Sequence, residues 1–120
     1  MKPILIFSNK FLNSISWFMR VGGISIFPFV IVREKYRDRE FWKKKLQFIY
    51  NHESIHFHQT LELGIIFFYV FYCLEFLIKL PFYGKKTYVN LSFEREAYQN
   101  ELNTLYLKSR KPYSWIKLIW

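Results

Sequence analysis

Residues 41–80 read FWKKKLQFIYNHESIHFHQTLELGIIFFYVFYCLEFLIKL, forty residues without a proline and with one glycine, Gly64. A run of this length without a breaker is too long for a strand, so the stretch predicts helix and makes the chain mainly α. Its second half, residues 63–78, is sixteen residues interrupted only by Glu75. Crossing a hydrocarbon layer takes about 20 apolar residues, so this length is borderline between a span and a core or interfacial helix. Glu62 and Glu75 stand in apolar surroundings, where an unpaired carboxylate is expensive; each should meet a Lys or Arg or line a polar interior.

Upstream, residues 33–45 hold seven basic and three acidic side chains in thirteen. They read as a solvated linker leading into the helix, with a share in anchoring to anionic lipid. Residues 1–31 are apolar but broken by polar residues and glycines, without the uninterrupted core of a secretory signal. Residues 11–19 suggest a short interfacial helix with Trp17 at headgroup level, and residues 1–21 an interfacial segment. Residues 22–32, with Ile24 to Val32 rich in β-branched and aromatic types, predict the short β element. Pro28 demotes it to an edge strand or one with a bulge. Downstream, Pro81 and Gly84 mark a loop, and Ser92 is the expected N-cap of a last helix, residues 92–108, stopped by Lys111-Pro112. The tail, residues 113–120, reads as an aromatic anchor or as a segment packed on the domain.

The chain has 120 residues, a formal net charge of +9, 52% hydrophobic and 22% aromatic residues. This length makes one domain. The aromatic share excludes a disordered basic tail. Basic residues alternate with large apolar blocks, which argues against nucleic acid as a partner and for a membrane-associated domain. Phe, Tyr, Met, Ile, Asn and Lys make up 56 of the 120 residues, and AT-rich codons favour these types, so part of the lysine excess reflects coding bias. The single cysteine, Cys73, excludes a disulfide framework or Cys-rich metal site and is expected as a small buried hydrophobe. No Gly-rich phosphate loop or nucleophile elbow is present.

The chemistry-bearing motif is His52-Glu53-Ser54-Ile55-His56. Residues four apart lie one turn apart on one helix face, so both imidazoles can reach one Zn²⁺ at ~2.0–2.1 Å. Glu53, rotated about 100° from His52, can sit beside the metal and take a proton from water. An accidental pair of helix histidines is the alternative for so short a motif. Gln59 extends the face to H-E-x-x-H-x-x-Q. His58 sits about 240° around the helix from His52 and points elsewhere.

With Phe93-Glu94-Arg95-Glu96-Ala97-Tyr98 added, the sequence resembles the gluzincin-type zinc metallopeptidases. Their third ligand is a glutamate on a later helix, often heading an E-x-x-A-D pattern. The resemblance covers residues 22–107 and also extends to small bacterial membrane-associated proteins with HExxH and an E-x-E-A-Y segment. It implies zinc held by His52, His56 and Glu94, with Glu53 as the general base. Ala97, the one alanine in the chain, matches the small residue of the pattern. Tyr98 stands where the family has Asp, so the support of an imidazole would pass to Tyr98 or Gln59. Glu96 is the alternative ligand, and Glu101 reads as a solvated helix residue. The strand of residues 24–32 would be the edge along which such enzymes lay an extended peptide.

The expectation is therefore a small membrane-associated, zincin-like helical domain that hydrolyses peptide bonds. The alternative is a non-catalytic accessory subunit of a larger membrane complex, with a structural or vestigial metal site. Chain reach adds a constraint. In one straight helix Leu80 would lie about 36 Å beyond His56, while the chain from Leu80 to Glu94 extends at most about 46–50 Å. Glu94 reaches the histidines comfortably only if the helix turns between Glu62 and Ile66, where Gly64 offers the break.

Overall fold

The computed structural model describes residues 2–15, 23–37 and 42–120. Three strands, β1 (Ile4–Phe7), β2 (Gly23–Ile26) and β3 (Phe29–Val32), form one small sheet in the order β1-β3-β2. Helices are α1 (Asn9–Ile15), α2 (Lys43–Leu63), α3 (Ile65–Tyr83), α4 (Ser92–Asn100) and α5 (Tyr106–Ser109), with short 3-10 turns between and after them. The protein is thus mainly helical with a three-stranded sheet.

The sheet differs from the expectation in two ways. The expected interfacial segment contributes β1, whose residues pair parallel with β3 from Ile4–Phe29 to Phe7–Val32. A four-residue apolar run has no periodicity of its own, and the available edge of β3 decides its conformation. Of the helix expected over residues 11–19, the first part lies in α1, Asn9–Ile15, while Trp17 and the rest of residues 16–21 lie outside the described residues. The predicted single strand is a hairpin. β2 and β3 pair antiparallel around a two-residue turn, Phe27-Pro28, joined by a cis peptide. Pro28 sits in this turn, where no ladder donor is needed, so β3 can be the central strand. Among the described residues β1 and β2 are the two edge strands, each paired with β3 alone, and β2 is the one that lies against α2.

Helix α2 crosses the sheet closely. A Cβ on Gly23 would stand 2.8 Å from Ile49 Cγ2, so only glycine lets β2 approach the helix this far. Val30, Val32 and Tyr36 form the core here, with Leu46, Ile49 and Tyr50 of α2 packed on it. A second core, Phe68, Phe93 and Trp115, joins α3, α4 and the tail. Trp115 therefore packs on the domain, whereas Trp120 stays exposed against Phe82 and Tyr83.

The long helix breaks at Gly64, whose φ of 84° and ψ of 154° form a conformation open almost only to glycine. Its N–H still bonds Thr60 O, closing α2, and its carbonyl accepts the Phe68 N–H, opening α3. Helix α3 runs past the expected loop at Pro81 to Tyr83. Pro81 falls in the last turn, where one missing donor breaks a single bond. Helix α4 starts with Ser92, whose N–H and hydroxyl both donate to the Glu75 carboxylate, at 2.6 and 2.7 Å. Glu75 also pairs with Lys79 at 2.7 Å and Glu62 with Arg110 at 3.0 Å, so both embedded carboxylates find their cations. The expected helix through Lys108 instead ends at Asn100, because the Asn51 amide takes the carbonyls of Asn100, Glu101 and Asn103 and turns the chain against α2.

Residues Ile65–Lys86 are long and apolar enough to cross a membrane; an 18-residue window within them has mean hydropathy 1.9 and is 11% buried. Ile66, Phe67, Leu77, Ile78 and Phe82 are each more than half exposed, and Cys73, expected inside, is exposed among them. The burial prediction failed because the apolar run faces outward.

A Cβ on Gly64 meets no atom within 4 Å, so Gly64→Ala should act through the backbone alone. It should destabilise the fold by roughly 1–3 kcal/mol, read as a lower denaturant midpoint with an unchanged slope. A variant as stable as the parent would show that the break does not require this conformation.

Candidate metal centre

Helix α2 carries His52, Glu53, His56 and Gln59 to its buried face, and α4 brings Glu94 and Glu96 against it. The Glu94 carboxylate lies between the two imidazoles: Oε1 is 3.2 Å from His52 Nε2 and Oε2 is 3.1 Å from His56 Nε2. All three side chains are buried, and one donor atom from each falls within 4.8 Å of the others. Two ligands held tetrahedrally at ~2.0–2.1 Å from one ion stand about 3.3–3.4 Å apart, close to this spacing.

The outer nitrogens show what the inner ones offer. His52 Nδ1 lies 2.8 Å from Glu101 Oε2, and His56 Nδ1 lies 2.8 Å from Gln59 Oε1. Carboxylate and amide oxygens only accept, so both Nδ1 atoms carry the proton. In the neutral rings both Nε2 lone pairs then point at a carboxylate that is itself all lone pairs. His56 Nε2 is a buried atom without a hydrogen-bond partner among the described residues. Only protons or a cation can fill that space. The cluster therefore fits a metal ion, with two neutral-imidazole donors and one carboxylate.

The electrostatics of the centre follow from the same geometry. Burial works against a charged His52, but Glu101 and Glu94 outweigh it and push the imidazole up to about 10. His56 rises as well: burial opposes its charge, and the Glu94 carboxylate overcomes this. Burial would raise Glu94, yet His56 and His52 hold it far below the usual carboxylate range. Burial raises Glu53 above that range, partly offset by the two histidines. The site is built to hold positive charge.

Glu53, His56 and Glu94 border a cavity of about 180 Å³. Its wall on one side is β2, from Gly23 to Ser25; on another it is tyrosines 69, 72 and 88. The Tyr72 hydroxyl donates to Glu94 Oε2 at 2.8 Å, fixing the carboxylate from α3. The structure brings the expected His52, Glu53, His56, Glu94 and Gln59 together. It does not place Glu96 among the nitrogens: that carboxylate meets Gln59, Tyr106 and Arg110. Tyr98 packs its ring edge on His52, centroids 4.6 Å apart, and the bond to the imidazole comes from Glu101. Glu101, expected in solvent, lies two turns after Glu94, and the Asn51 bonds draw it under α2. His58 is outside the cluster, and burial lowers its pKa. The role of Tyr72 had a trace in the sequence: Tyr72, Glu75 and Lys79, three and four residues apart, form a polar stripe on an apolar helix.

A metal must displace the protons that the imidazoles hold. Acid refills those nitrogens, so apparent metal affinity should rise with pH over about 6 to 9, below the His52 value of about 10. The slope should reach up to roughly tenfold per pH unit for each displaced proton. Competition with a chelator of known affinity measures this, and the double variant His52→Ala, His56→Ala should bind nothing. An affinity flat across that window would remove the imidazoles from the ligand set. Comparison of the chain with protein-family models, curated proteins and solved structures gives no match, so its assignment rests on this geometry.

Proposed function

We propose that the protein is a membrane-associated zinc metallopeptidase of zincin-like construction. The observation that carries this reading is a two-His, one-Glu ligand set whose His56 and Glu94 line one cavity together with Glu53 and β2. Two imidazoles and a carboxylate with a position left open are the ligand set of catalytic zinc sites. Bound there, zinc would supply a Lewis acid that brings the pKa of water to about 7. Glu53, beside His56 on the cavity wall, takes the proton from attacking water on its carboxylate. It then returns that proton to the leaving amine nitrogen. The edge of β2 beside the cavity, where the Ser25 carbonyl accepts the Tyr69 hydroxyl at 3.4 Å, would offer backbone groups to an extended peptide and align a scissile carbonyl over the cavity. Gln59 and Glu101 keep the imidazoles oriented.

Membrane association is supported by α3. Its Tyr72, Glu75 and Lys79 turn inward to α4 and the turn before it, and the outward face is almost wholly apolar. Nineteen helical residues measure about 28 Å, near the thickness of a bilayer core. The same face favours a second reading: it is large enough to be covered by protein, as in an accessory subunit of a membrane complex.

Glu53→Gln separates the two. It should keep about one equivalent of zinc by elemental analysis and lower peptide-bond cleavage by about 10²–10⁴-fold. If Glu53→Gln is silent in every cleavage assay while a complex falls apart without the protein, the subunit reading stands instead. The chain should also stay with membranes in alkaline carbonate, and recovery in the soluble fraction would count against the α3 assignment.

A further inference from the structure

The second glutamate of the Glu94-Arg95-Glu96 segment has a job that the metal centre needs. Gln59 is fully buried. Its amide nitrogen donates to Phe93 O at 3.0 Å and to Glu96 Oε1 at 3.0 Å. Both partners are acceptors only, so the amide cannot turn over, and its oxygen must face His56 Nδ1, 2.8 Å away. A facing acceptor keeps the ring proton on Nδ1 and leaves Nε2 bare. With the amide flipped, an N–H would face Nδ1, the ring proton would move to Nε2, and the coordinating lone pair would be lost. The Phe93 carbonyl belongs to the first turn of α4, where helical bonding shares it. The Glu96 carboxylate is thus the stronger of the two acceptors.

Glu96 is itself held on every side. Tyr106 donates to Oε2 at 2.7 Å; Arg110 donates to Oε1 from Nη2 at 3.0 Å and to Oε2 from Nε. The other edge of the same guanidinium pairs with both Glu62 oxygens at 3.0 Å. A buried carboxylate so held can neither rotate nor neutralise easily.

We propose that Glu96, held by Arg110, is a positioning residue that locks the Gln59 amide and through it the His56 tautomer that binds metal. The inference rests on the metal reading above. It assigns the two glutamates different work: Glu94 coordinates, and Glu96 acts at one remove, through Gln59.

The test uses the full-length protein in detergent, stripped with chelator and titrated with Zn²⁺ against a chromophoric competitor. Glu96→Leu keeps the bulk but removes the acceptor, and zinc should bind about 10–100-fold more weakly. Glu96→Gln loses the ion pair with Arg110 but keeps an acceptor oxygen for Gln59, so affinity should stay within about threefold of the parent, even where thermal stability falls. Gln59→Met should weaken zinc as Glu96→Leu does, and the double variant should be no weaker than either alone. Histidine ¹⁵N spectra of the zinc-loaded parent should show His56 ligated through Nε2 and protonated at Nδ1. Equal losses in the Gln and Leu variants, additive losses in the double variant, or ligation of the parent through Nδ1 would each overturn the lock. If the leucine variant does not fold, the Gln59→Met affinity and the parent spectrum still decide. A parent that binds no zinc would sink the metal reading itself, whereas unchanged binding in all variants would sink only the lock.

Discussion

One carboxylate between two imidazoles holds α2 and α4 at their present distance. Glu94 touches His52 and His56 with one oxygen each, and Tyr72 of α3 fixes it from behind. Three helices therefore meet at a single buried group. Removing one member of such a set leaves charges without partners in a low-dielectric interior, which is far more damaging than losing a surface pair. The centre is structural before it is chemical.

The polarity of α2 follows from this. Of its nine buried residues, only Ile55 and Phe57 are apolar; the others include Asn51, His52, Glu53, His56 and Gln59. A helix buried mainly through polar groups gains little from apolar area, so it depends on cores at its sides. The sheet core at Val30, Val32 and Tyr36 and the aromatic core at Phe68, Phe93 and Trp115 supply that burial. The buried partners found for Asn51 and Gln59 satisfy their amides, which keeps the polar burial affordable.

Helix α3 is arranged the other way round. Its polar side chains turn inward, where Glu75 holds the start of α4 and Lys79 bonds Asn90 O at 2.6 Å, and its apolar ones turn outward. On the proposed membrane reading this puts the wall of the cavity, Tyr69 and Tyr72, on the element that meets lipid. Substrate access and membrane contact would then be properties of the same helix.

The sequence by itself determined what local backbone rules control. Four-residue spacing puts His52 and His56 on one face, glycine makes position 64 the break, and the cost of a bare carboxylate demands partners for Glu62 and Glu75. It did not determine which distant group meets which. The resemblance singled out Glu94, with Glu96 as the alternative and Glu101 in solvent, but gave no partner for Glu96 or Glu101. The three carboxylates separate into a group between the two imidazoles, a partner of Gln59 and a partner of His52 only once Asn51 has stopped α4 at Asn100 and Arg110 has claimed Glu96. Likewise β1 and the Phe27-Pro28 turn depend on pairing with β3, which four-residue segments do not encode. Spacing along a helix fixes neighbours on its own surface; the roles of these carboxylates were decided between surfaces, where the placement of one helix against another sets every distance.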